Sequence, residues 1–142
     1  MFSGRAKIIV AVAVLVAASA TGIAQIKQGK TRALKTSQLM SGLVKPNCDA
    51  IKKGIMDGTP SGDAWDELAT QAALLNEASF MLMDDGRCPD GVWADATTKK
   101  LREGSSALLM ALEAKDHSAA KNAFKTMTES CKGCHEKHKP KK

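Results

Sequence analysis

Residues 65–82, WDELATQAALLNEASFML, decide the fold. Trp65, Leu68, Ala72, Leu75, Ser79 and Leu82 recur at alternating steps of three and four, which is one stripe of an α-helix. Asp63 precedes the stripe, with Asp66 and Glu67 in the first turn, where carboxylates meet the positive end of the helix. Gly86 lies just past the last turn.

The same period returns three times. Toward the C-terminus it runs through Ala120, Ala123, Phe124, Met127, Cys131, Cys134 and His135, with Asp116 as the expected cap. A third stretch holds Trp93, Ala96, Leu101, Leu108, Ala111 and Leu112; it is less regular around Gly104, and Pro89 lies just before it. The first holds Leu39, Met40, Leu43, Val44, Ile51 and Ile55. Pro46 falls inside it and is expected to bend or break the helix near Gly42.

Links between these stretches are short: Asp57 to Gly62, Asp84 to Gly91, and Ala114 to His117. Four helices with short links favour antiparallel neighbours, so the expected fold is all-α, an up-down-up-down four-helix bundle. In it the end of the fourth helix, the start of the first and the loop around Cys88 share one end. Met40, Cys131 and His135 therefore meet there, with Met81 and Met83 packing nearby, and His117 lies exposed at the opposite end.

Composition agrees. Of 142 residues 44% are hydrophobic and 25% charged, which argues against a disordered chain. Aromatics are 4% and Tyr is absent, too few for a β-sandwich or barrel. The net charge is +6. Without Arg5 and Lys7, 19 basic residues face 15 acidic ones, a balance of +4. Interleaved stacking aromatics are missing, so nucleic-acid binding is not indicated.

Those two cations precede an unbroken apolar run, Ile8 to Ala18, followed by small residues at Ala18-Ser19-Ala20 and Gly22-Ile23-Ala24. This is the order of a secretory signal peptide, expected over residues 1–24, with the mature domain over 25–142. The rival is an uncleaved anchor from Ile8 to Ile26, which Ser19, Thr21, Gly22 and Gln25 weaken. No Cys follows the run, which argues against lipoprotein processing. On either reading the remaining chain is exported, where disulfides are permitted.

Cys131-Lys132-Gly133-Cys134-His135 is C-x-x-C-H, the attachment signature of covalent haem c. On a helix Cys131 and Cys134 stand one turn apart on one face, so their thiols can reach the two vinyl groups of one haem. His135, four residues after Cys131, can ligate the iron from the proximal side. A thioredoxin-like redox pair would need a βαβ context that this pattern lacks. A zinc site built from Cys131, Cys134, His135 and His138 would draw every ligand from one short stretch, which suits a tetrahedron poorly.

In layout, and most strongly over Phe124 to Lys139, the chain resembles the class II cytochromes c, the cytochrome c′ family. That family carries its haem near the C-terminus of the last of four helices. Lys139 fills the basic position four residues after the proximal histidine, His138 stands where an aromatic is usual, and Arg32 lies near the region of a family arginine. The stretch from Trp65 to Trp93 departs from familiar members, which marks a divergent branch.

The resemblance implies a monohaem electron carrier of the bacterial cell envelope; the alternative is a five-coordinate haem module that binds or senses small gases such as NO or CO. The sixth iron position decides between them. Low-spin members of the class use a methionine from the first helix, which makes Met40 the candidate here. On another family register Met40 is a core residue and Ser37 or Thr36 faces the iron. His138 shares the proximal side with His135, which rules it out as the sixth ligand.

Cys48 and Cys88 lack tethering spacing, and in an exported chain they suggest one disulfide; the alternative is two free thiols. Lys132, Lys137, Lys139, Lys141 and Lys142 surround the motif, either as a collar steering acidic redox partner proteins or as a solvated basic tail. A homodimer is compatible with the sequence, and membrane association follows only if the leader is retained. No catalytic dyad, triad or phosphate loop appears, so the chain does not read as an enzyme.

Overall fold

A computed structural model describes residues 29–129 and 131–139; the expected leader lies outside them. All regular structure among the described residues is helical, and none of these helices is long and apolar enough to cross a membrane.

The first rod comprises α1 (Thr36–Leu39), a π turn (Met40–Val44) and α2 (Lys45–Met56). Pro46 has no N–H and would leave a carbonyl one turn back without its donor. The disruption takes the form of the π turn, in which the Lys45 N–H bonds to Met40 O. The Asn47 side chain donates to Leu43 O at 2.6 Å. The helix thus winds on past Pro46 to bury Leu39, Ile51 and Ile55.

The second rod, α3 (Ala64–Met83), buries all six residues of the stripe. Asp63 occupies the N-cap position but offers no side-chain bond; only its carbonyl accepts, from Asp66 and Glu67.

The third rod runs from α4 (Gly91–Asp95) through a second π segment (Ala96–Arg102) into α5 (Glu103–Glu113). Its buried positions begin Trp93, Thr97, Leu101, Ser105, all at steps of four. In an α-helix each such step overshoots the turn by about 40°. The wider π winding absorbs the overshoot and keeps all four side chains on the core. Gly104 has its own reason: a Cβ there would come within 2.8 Å of Met127 Cβ, so glycine permits close approach of α5 to α6.

Next come α6 (His117–Glu129), capped by Asp116 Oδ1 on the Ala119 N–H at 2.9 Å, and α7 (Cys131–His138). α3 packs on α2 and α5, α5 on α6, and α6 on α2, while α7 packs on the third rod and on α6. At one end of the molecule His117 joins the start of α6 to the end of the first rod. Its ring lies 2.7 Å from Ile55 O and 3.0 Å from Thr59 Oγ1, edge-on to Trp65. It is half-buried, so the expectation of an exposed His117 is corrected.

Candidate haem-attachment site

The other end gathers the start of the first rod, the end of α3, the loop before α4, and α7. Asp90 organises the junction. It caps α4 by accepting the Trp93 N–H at 3.0 Å, and it lies 2.7 Å from Lys137 Nζ and 3.2 Å from His138 Nε2. His138 stands edge-on to Trp93, whose indole N–H reaches Leu82 O at 2.8 Å. Asp90 is held down to about 2, first by the hydrogen bond from Lys137 and then by the Trp93 amide.

On α7 the motif residues have three different surroundings. Cys134 is buried and lines, with Gly91, Val92, Ala96 and Gly133, an open cleft of about 650 Å³ against the third rod. Cys131 is half-buried and its thiol turns back toward Met127 O, 3.8 Å away. Burial raises both thiol pKa values, so both sulfurs carry their protons at neutral pH. His135 is exposed, yet partial burial of its ring, and then the Lys139 ammonium, depress its pKa and favour the neutral imidazole.

These residues fit a covalently bound haem by donor chemistry. Two protonated thiols stand one helical turn apart, and beside them is a neutral imidazole with no protein hydrogen bond to its ring among the described residues. No group of three or more His, Cys, Asp and Glu side chains able to hold a metal ion occurs among the described residues.

Met40 is half-buried, opens the π turn and packs against the hydrophobic core. Thr36 is buried and Ser37 exposed. All four cysteines are free thiols, so Cys48 and Cys88 are not bridged here. The basic collar is partly neutralised: Lys137 is tied to Asp90, and Lys132 lies 3.8 Å from Glu136. Lys139 is exposed, and Lys141 and Lys142 lie outside the described residues.

Sequence reasoning missed Arg87, which is 1% exposed and donates to Leu34 O at 3.0 Å and Met81 O at 3.2 Å. It also missed Asp85, whose carboxylate accepts the backbone N–H groups of Thr31 and Arg32, each at 2.9 Å. Together they fasten residues 29–34 over the motif end. Arg32 itself makes an exposed ion pair with Asp84 at 3.6 Å. No protein-family profile matches the chain, and neither curated proteins nor solved structures give a significant match.

Proposed function

We propose that this chain is a monohaem c-type cytochrome, a divergent relative of the cytochrome c′ class, carrying electrons in the bacterial cell envelope. The single observation that carries the reading is C-x-x-C-H on a helix, which sets Cys131 and Cys134 one turn apart with His135 beside them. The finer architecture, an up-down-up-down four-helix bundle with haem near the end of the last helix, is part of this proposal. It is supported by His117 meeting Ile55 at one end and by Arg87, Trp93 and Asp90 tying elements together at the other.

Bound haem supplies one-electron iron chemistry between the ferrous and ferric states. The chain's own residues do the rest. Cys131 and Cys134 would hold the group through their sulfurs as thioethers. His135 would offer its imidazole nitrogen to the metal. Asp90, through Lys137 and His138, anchors the helix that carries all three, so the ligand is held on a fixed element. The exposed Lys139 and the basic tail give acidic redox partners a complementary surface.

The test is the intact mass of the exported chain from a host with haem-attachment machinery, followed by absorption spectra in both redox states. A mass gain of one haem, with Cys131 and Cys134 no longer alkylatable, is expected. A chain lacking that mass ends the reading. A low-spin spectrum supports the carrier; a high-spin spectrum that shifts with NO or CO supports the gas-binding alternative.

A further inference from the structure

The open cleft of about 650 Å³ beside Cys134 has one wall on α7 and another on the third rod, two elements that pack on each other. On the third rod Val92, Ala96 and Lys100 line it, at steps of four. The π winding that holds Trp93, Thr97 and Leu101 on the core therefore also keeps these three in a row along the cleft. On α7 the lining residues are Gly133 and the buried Cys134. A Cβ at Gly133 would meet nothing within 4 Å, so this wall faces open space. Charge along the cleft is uneven. Two carboxylates line it, and each has a lysine of its own rod: Asp95 lies 3.1 Å from Lys99, and Glu129 lies 3.8 Å from Lys125. Neither of those lysines lines the cleft. Lys100 does, and among the described residues its ammonium has no ion pair. An apolar wall, a thiol of the motif and one uncommitted cation thus share a single opening.

We infer that this cleft receives the carboxylate-bearing edge of a porphyrin, with Lys100 as the residue that meets the carboxylates. The inference rests on the haem reading above and extends it from the tethering residues to a binding cation on another rod. A group held through the Cys134 sulfur has this cleft beside it. Val92 and Ala96 offer apolar surface to the flat body of such a group. Lys100 is exposed, so it meets a carboxylate without either charge leaving water, and the contact orients the edge more than it tightens binding.

The test uses the full chain exported by a host without haem-attachment machinery. The probe is metal-free protoporphyrin, so that no iron ligand contributes; binding is read by porphyrin fluorescence, and urea melts are run on every variant. Gly133→Phe keeps the C-x-x-C-H spacing and replaces a glycine inside a helix, so the fold should hold, yet its ring fills the cleft and should weaken binding about tenfold. Lys100→Gln should weaken binding about threefold. That loss should vanish with the dimethyl ester of the probe, which has no carboxylate for Lys100 to meet. Val92→Glu, at a side chain 41% exposed, adds a carboxylate to the same wall and should repel the free acid more than the ester; it decides the matter if Gly133→Phe does not fold. A parent chain that ignores protoporphyrin overturns the inference. So does a folded Gly133→Phe chain that binds as tightly as the parent, a Lys100→Gln loss that persists with the ester, or a Val92→Glu chain that treats acid and ester alike. The intact mass from a host with attachment machinery separates the two readings. A chain that binds the probe as described but never gains haem upholds the cleft and defeats the cytochrome; one that gains haem while its unloaded form ignores the probe does the reverse.

Discussion

The Asp90 carboxylate lies 2.7 Å from the Lys137 ammonium, so the loop before α4 grips the helix that carries the C-x-x-C-H motif. His138, 3.2 Å from the other carboxylate oxygen, makes a second point of attachment. With Asp90 held down to about 2, its carboxylate is more acidic in the folded chain than in the unfolded one, where about 4 is usual. The stabilisation is therefore present above about pH 4 and fades as the pH falls through 2. Urea melts of the parent chain should lose stability across that window relative to Asp90→Asn. At neutral pH, amide exchange in residues 131–138 should be faster in the variant. Identical pH profiles for the two chains would remove the clasp.

Arg87 is a buried cation that donates to two carbonyls and lies within electrostatic reach of the Asp85 carboxylate. Arg87→Met keeps much of the volume but leaves Leu34 O and Met81 O without their donor. Leaving two part-buried acceptors without their donor should cost at most about 1–3 kcal/mol, so the urea midpoint should fall accordingly. Proteolysis within residues 29–34 should also rise, because that segment loses one of its fastenings. A midpoint unchanged within error would mean that water replaces the guanidinium without loss.

Two glycines should respond to alanine with opposite signs. At Gly104 a Cβ would sit 2.8 Å from Met127 Cβ and 3.2 Å from Met127 Cα, close to atoms that cannot swing aside. Gly104→Ala should cost about 1–3 kcal/mol as α5 and α6 are forced apart, outweighing its gain in helix propensity. At Gly42 nothing lies within 4 Å of the added Cβ, so Gly42→Ala should gain up to about 1 kcal/mol. Thermal denaturation followed by circular dichroism reads both.

The second helix was fully legible in the sequence because its stripe keeps strict α spacing from Trp65 to Leu82. The third was legible only in part: Thr97 and Ser105 are buried but polar, and their steps of four fit a π segment better than an α-helix. Ser105 is tolerated there because it donates to Arg102 O at 3.0 Å and receives the Asn76 amide at 3.2 Å. At the candidate site, the spacing of Cys131, Cys134 and His135 is local and could be read directly. The Asp90 clasp and the Arg87 anchor join residues distant in sequence, and no local pattern announces them. His117 was misread because a histidine at a tight turn looks like surface, whereas Trp65, Ile55 and Thr59 enclose it.

Met40 tests the division between electron carrier and gas binder. It is half-buried, and its carbonyl accepts the wide hydrogen bond of the first π turn, a distortion that often accompanies functional positions in helices. On the carrier reading, Met40→Ala should convert a low-spin haem spectrum to a high-spin one that binds CO, with loss of the methionine-to-iron band. Truncating a half-buried side chain should also lower stability by about 1–2 kcal/mol, less than a fully buried methionine would cost. Met110, 68% exposed, is the control: its alanine variant should alter neither spectrum nor stability. A stability loss at Met40 with the low-spin spectrum intact would make Met40 core packing and assign the sixth ligand elsewhere. A parent chain already high-spin and open to CO would leave Met40 no metal to ligate and favour gas binding, whatever its packing contributes.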